Sequence, residues 1–137
     1  MSPKDQIETI ESFLRLVNSG DMVSASELIH PDFDLVEQPG LPYAGEYHGR
    51  DGFLGLMEAA GRTWTRWVDA PYPYELAVEG NRVFKEVRFT ATAAATGVEI
   101  EMDFMEVFEL EDGLIRRVRA YYWDPEGIRA ATSPAPI

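Results

Sequence analysis

A carboxyl set among apolar side chains is the first place to look for chemistry, and this sequence carries one in Met102-Asp103-Phe104-Met105-Glu106-Val107-Phe108. Successive side chains of a strand alternate between faces, so Glu106 shares a face with Met102, Phe104 and Phe108. Burial in that company disfavours the carboxylate, raises its pKa, and equips it to exchange a proton near neutral pH. A cross-strand ion pair with Arg88 or Arg119 is the competing structural reading. Glu86 and Arg88, two apart in a β-rich run, share a face and either enter the same cavity or form an ion pair on a solvated surface. His30 precedes Pro31 at the expected end of a helix, where an imidazole bonds free carbonyls or, near its unperturbed pKa, serves as a base. Gln38 and Tyr43 flank a loop and, with Tyr122, offer hydrogen bonds to a ligand carbonyl without ionising.

The elements that must position these groups follow from periodicity. Ile7, Ile10, Leu14 and Val17 recur at helical spacing behind Ser2-Pro3, which predicts a first helix ending near Gly20. Asp21 caps a short second helix carrying Val23, Ala25, Leu28 and Ile29, which Pro31 stops. Phe33 to Gln38 reads as a strand broken by Pro39-Gly40-Leu41-Pro42. A third helix follows Gly49, with Asp51 as cap and Phe53, Met57, Ala60 and Trp64 on one side. Beyond Trp67 the chain turns to long β-rich runs at Tyr72 to Val78, Val83 to Ala94, Val98 to Leu110 and Leu114 to Trp123, separated by Gly-containing turns. An antiparallel meander with one apolar face needs cover, and the three N-terminal helices supply it. The expected fold is therefore α+β, a curved antiparallel sheet wrapped into a cone around three helices with one central pocket. Residues 1–131 form the single domain and 132–137 a mobile tail.

Composition narrows the function. The 137 residues carry a net charge of -12, no Cys and two His. Phosphate backbones and anionic membranes are repelled by such a surface, so nucleic acid and membrane are excluded as expected partners. Two scattered His and no thiolate cannot assemble an N/S-rich metal site, and the expectation is no metal and no cofactor. The start of the chain lacks the pattern of a signal peptide and no run reaches a membrane span, which reads as cytoplasmic.

Val36-Glu37-Gln38-Pro39 ending a strand, His48-Gly49-Arg50 opening a helix, and a last strand reading Arg119-Ala120-Tyr121-Tyr122-Trp123 occur in that order. With Asn18-Ser19-Gly20-Asp21 between the first helices and Asp112-Gly113-Leu114-Ile115 before the last strand, residues 5 to 126 resemble the ketosteroid-isomerase and SnoaL-like polyketide cyclase superfamily. That superfamily shares the cystatin-like fold of nuclear transport factor 2. The resemblance implies that the isomerase's general base falls on Gln38, an amide, its oxyanion-binding Tyr on Phe13, and its second acid on Glu106. It places a pocket Tyr at His30, and aligns the Arg and Asp of the superfamily's epoxide hydrolases with Glu86-Val87-Arg88, their third partner falling on Ala120. The SnoaL-like cyclases are the nearest enzymatic analogy.

The expected function is cofactor-free acid–base chemistry of isomerase, cyclase or dehydratase type on a small apolar carbonyl compound. The alternative is a non-catalytic domain that binds such a molecule. Glu106, His30, Glu86 and Arg88 are the candidate catalytic residues; Gln38, Tyr43, Phe13, Phe53, Met57, Trp64, Met102, Phe104 and Tyr122 are the candidate ligand contacts. If Phe104 and Glu106 point inward with Glu86 and Arg88, then Met105, Val107, Val87 and Phe89 form an apolar convex patch. A homodimer through that face, with Glu101, Asp103 and Lys85 at its rim, is the expected assembly.

Overall fold

A computed structural model describes residues 1–68 and 74–134. Ser2 opens α1 (Pro3–Asn18) with a capping box, its hydroxyl accepting from the Asp5 amide while the Asp5 carboxylate accepts from the Ser2 amide. The buried face of α1 carries Gln6, Ile10, Phe13 and Leu14. Asp21 caps α2 (Met22–Ser26) by accepting from Ser24 N at 3.1 Å. The second helix stops at Ser26, short of the expected Ile29, because the chain has already entered β1 (Ile29–Glu37). Pro31 is not a helix stop but a strand residue. The pairing of β1 with its neighbour slips between Ile29 and Asp34, so the N–H that proline lacks is not demanded by a regular ladder.

After β2 (Gly45–His48), which sequence reasoning left as loop, comes α3 (Gly49–Thr63), whose N-cap is His48 and not Asp51. Trp64 ends that helix and begins β3 (Trp64–Val68). The Tyr72 start of the next expected strand lies outside the described residues; β4 runs Glu75–Glu79. The long strands β5 (Arg82–Ala93), β6 (Glu99–Glu111) and β7 (Leu114–Tyr122) fall close to their expected bounds. A helix that was not expected, α4 (Pro125–Thr132), follows. Asp124 caps it by accepting from Gly127 N, and Ile128 and Ala131 are buried. Among the described residues no helix is long and apolar enough to cross a membrane.

The seven strands form one curled sheet in the order β2-β1-β7-β6-β5-β3, with β4 also paired to β5. The meander holds for β5, β6 and β7, but β1 joins β7 in parallel, so the sheet is mixed. The fold is α+β, of the cystatin-like, NTF2-like kind, with α1 and α3 packed into the concave face. The β6 phase is as expected, Met102, Phe104 and Phe108 being buried. The β5 phase is the reverse of that expected. Directly opposed residues of paired strands share a face. The register sets Lys85 against Glu106, Val87 against Phe104 and Phe89 against Met102, so Lys85, Val87 and Phe89 point inward and Glu86 and Arg88 outward. Val87 and Phe89 therefore leave the convex patch, and Lys85, placed at its rim from sequence, is fully buried.

Candidate functional site

Between the concave sheet and the two helices lies a cavity of about 70 Å³. Its walls are largely aromatic: Phe13 from α1, Phe33 from β1, Phe53 from α3, Phe89 from β5, Phe104 from β6 and Tyr122 from β7. The Phe104 and Tyr122 rings stack with centroids 4.4 Å apart, and Phe89 meets Tyr122 edge-on at 5.5 Å. Two carboxyls enter this apolar enclosure, Glu37 at the end of β1 and Glu106 in the middle of β6.

Glu37 was not singled out from the sequence. Strand alternation through Phe33, Leu35 and Glu37 sends its side chain inward, and all three are buried. The same alternation turns its neighbour Gln38 aside. Gln38 does not line the cavity; its side-chain oxygen accepts from the Tyr122 backbone amide at 2.6 Å and ties β1 to β7. The carboxyl at the end of the first strand is thus present, one residue earlier than the resemblance suggested. Glu37 is 6% exposed, and its Oε2 has no hydrogen-bond partner among the described residues. Desolvation, reinforced by repulsion from Glu106, pushes its pKa up from an ordinary 4.5 to about 8, so at neutral pH the group is a neutral acid.

Glu106 is held differently. Its Oε1 accepts from Lys85 Nζ at 2.8 Å, an ion pair in which the ammonium is fully buried and the carboxylate side chain is 18% exposed. The ammonium also lies 5.7 Å from the centroid of the Phe104 ring, within cation–π range. The cross-strand partner of Glu106 is therefore Lys85, not Arg88 or Arg119. Two carboxyls in one cavity with different surroundings, one left apolar and neutral and one paired with a cation, are the arrangement that separates an acid from a base.

A chain of hydroxyls borders them. Trp64 Nε1 donates to Tyr43 Oη at 3.1 Å, and Tyr43 Oη shares a 3.1 Å hydrogen bond with Tyr122 Oη. Burial raises both phenols, Tyr43 to about 12 and Tyr122 well above its ordinary value, so both remain protonated; one donates to the other, and the second keeps a proton free to donate. Tyr47 Oη donates to the Tyr43 carbonyl at 2.8 Å, fixing the loop from which Tyr43 reaches in. Trp64 is buried behind Tyr43 and positions it without lining the cavity, and Met102 is buried in the adjoining core. Met57 lines the cavity from α3, opposite Trp67 of β3, which sequence reasoning placed only in a general aromatic set.

The remaining candidates lie elsewhere. Arg88 faces out from β5 and pairs with Asp103 at 3.0 Å and Glu101 at 3.3 Å, and Glu86 is exposed beside it. Their catalytic reading fails with the reversed phase of β5. His30 sits in β1, not at a helix end, and does not line the cavity. Its Nδ1 accepts from Asp32 N at 3.0 Å, which leaves the neutral ring's proton on Nε2, 3.3 Å from Glu111 Oε2 and 3.8 Å from Asp112 Oδ2. These three side chains bring their donor atoms within 4.8 Å of one another, with Glu111 and Asp112 exposed and all three outside the cavity lining.

The sequence model of the SnoaL-like domain matches residues 10–118. No curated protein matches. Among solved structures, an NTF2-like protein from Burkholderia xenovorans LB400 is 20% identical with a TM-score of 0.88, covering 97% of this chain and 99% of that one. TerC, co-crystallized with polyporic acid, is 20% identical with a TM-score of 0.82 over 93% of this chain and 97% of its own. A putative SnoaL-like polyketide cyclase from Jannaschia sp. CCS1 is 18% identical with a TM-score of 0.76 over 98% of each chain. At these identities the likeness is one of fold.

Proposed function

The chain belongs to the SnoaL-like domain family, and we propose that its cavity performs cofactor-free proton transfer on a flat, uncharged carbonyl compound. The reaction class is isomerisation, cyclisation or dehydration. The observation that carries this reading is Glu37, a carboxyl buried in an aromatic enclosure with an unpartnered oxygen, sharing that enclosure with the ion-paired carboxylate of Glu106. Glu106 abstracts a proton next to the carbonyl, and Glu37 in its neutral form donates toward the oxygen, where negative charge develops. The Tyr43–Tyr122 pair orients the carbonyl through the one hydroxyl proton that their shared hydrogen bond leaves free. An anionic substrate is disfavoured, because among the described residues no Lys or Arg lines the cavity and Lys85 is engaged with Glu106.

Hydrogen–deuterium exchange at the carbons flanking the carbonyl of 2-tetralone, followed by proton NMR in D2O, tests the chemistry without knowledge of the natural substrate. The native protein is expected to accelerate exchange, and Glu37→Gln and Glu106→Gln each to slow it by roughly 10²- to 10⁴-fold. Exchange no faster than in buffer, with 2-tetralone bound, would leave a binding domain in place of an enzyme. Mass spectrometry of molecules that co-purify with the protein would then identify what it holds.

A further inference from the structure

Most side chains lining the cavity are buried. Besides Glu106, those that keep partial exposure are Val17 at the end of α1, Met57 on α3 and Trp67 on β3. The same three line a second, open groove of about 350 Å³ between the α1–α2 turn and the α3–β3 junction. We propose that this groove is an outer subsite continuous with the cavity, with Val17, Met57 and Trp67 as its throat. It holds the apolar chain of an elongated aryl ketone whose flat head lies beside Glu37 and Glu106.

Size and chemistry support that occupant. A cavity of about 70 Å³ holds about five waters. A molecule larger than one small ring must therefore extend beyond it, and the throat leads to the groove. Met22 and Met57 face the groove with flexible thioether chains that adapt to an alkyl chain, and Trp64 contributes to the same wall. Among the described residues no carboxylate lines the groove, and Arg66 does, which suits an uncharged chain and not a cationic one. Gly20 and Gly61 keep two sides of the groove low: a Cβ built on either meets nothing within 4 Å. Gly61 lies within α3 at an ordinary helical φ, so a side chain can be placed there without backbone strain.

The inference rests on the inner cavity being the carbonyl site, and binding, not turnover, tests it. Dissociation constants of acetophenone, butyrophenone and hexanophenone, measured by isothermal titration calorimetry, should tighten roughly two- to fourfold per added methylene in the native protein. Gly61→Phe should flatten that dependence by filling the groove, whereas Gly61→Ala should preserve it. Met57→Trp, which narrows the throat, provides a second blocked variant, with melting temperature as the check that each variant folds. A native protein whose affinity ignores chain length overturns the subsite, as does a dependence that survives in Gly61→Phe and Met57→Trp. Loss of tetralone exchange with an intact chain-length dependence would refute the proposed chemistry alone. A flat dependence with intact exchange would refute the subsite alone.

Discussion

Replacing Glu37 with Gln should make the protein more stable, and increasingly so as the pH rises. Gln has nearly the shape of the protonated carboxyl, so native and variant should be about equally stable in acid. The folded state raises the Glu37 pKa from 4.5 to about 8. Between those values the folded chain holds a proton that the unfolded chain has released, so stability falls as pH rises and reaches its lower level once the folded group ionises. A shift of that size corresponds to about 5 kcal/mol at about 1.4 kcal/mol per pKa unit. About 4 kcal/mol of this falls between pH 5 and pH 9 by the same linkage. Water drawn toward the ionised group returns part of the cost, since the cavity has room for a few molecules.

Urea denaturation of both proteins at pH 5, 7 and 9 measures the effect as a difference, which cancels titrations common to the two. The variant should gain several kcal/mol over the native protein between pH 5 and pH 9, with more than half of the gain present by pH 7. Repulsion from Glu106 is the second cause of the shift, so the same comparison in a Glu106→Gln background should give a smaller gain. A stability difference that does not change across the three pH values would refute the burial of an isolated acid at Glu37, and with it the assignment of the neutral donor.

Three further outcomes follow from the geometry. Lys85→Met leaves the Glu106 carboxylate without that ammonium and should cost about 3 kcal/mol in urea denaturation, whereas adding Glu106→Leu should recover most of the loss; equal stability of single and double variants would refute a buried ion pair. Trp64→Phe removes the donor to Tyr43 and should cost about 1–3 kcal/mol, read as a lowered melting temperature, with an unchanged value arguing against the hydroxyl chain. On the convex face Met105 and Val107 remain of the patch expected from sequence, and Phe84, Tyr121 and Trp123 take the place of Val87 and Phe89, Trp123 being 81% exposed. Sedimentation velocity at micromolar concentration should give a dimer that Met105→Glu dissociates, and a monomer for the native protein would remove that interface.

How much of this was legible from sequence depended on whether a pattern had one solution. On β6, Met102, Phe104 and Phe108 leave no doubt about the buried phase, and Glu106 follows from them. On β5, Val83, Lys85, Val87 and Phe89 alternate with Phe84, Glu86 and Arg88, so a buried lysine in the first set and an acid–base pair in the second made the wrong face attractive. The missing information was the register: once Lys85 stands opposite Glu106, the phase of one strand dictates the other. Glu37 was within reach, since alternation from Phe33 and Leu35 points to it, but the resemblance drew attention to Gln38. The second helix was overextended because Pro31 was read as a stop, when the irregular pairing of β1 accommodates it. The signals for α4 are present in Asp124-Pro125, a cap followed by a first-turn proline, inside the expected domain but beyond the last strand to which an element was assigned.

The parallel contact of β1 with β7 also sets the order in which the chain can finish folding. The first strand has no long-lived neighbour on that edge until the seventh has been made, and β2 alone is a four-residue cover. Glu37 is therefore carried by a segment that must wait some eighty residues for its place, while Glu106 is set within the local β5–β6–β7 meander. Such long-range closure is slow relative to hairpin formation. A chain ended before Leu114 would contain both carboxyls and Lys85 yet could not bring the acid of β1 to the pair on β5 and β6, because the strand that joins the two halves of the sheet would be missing.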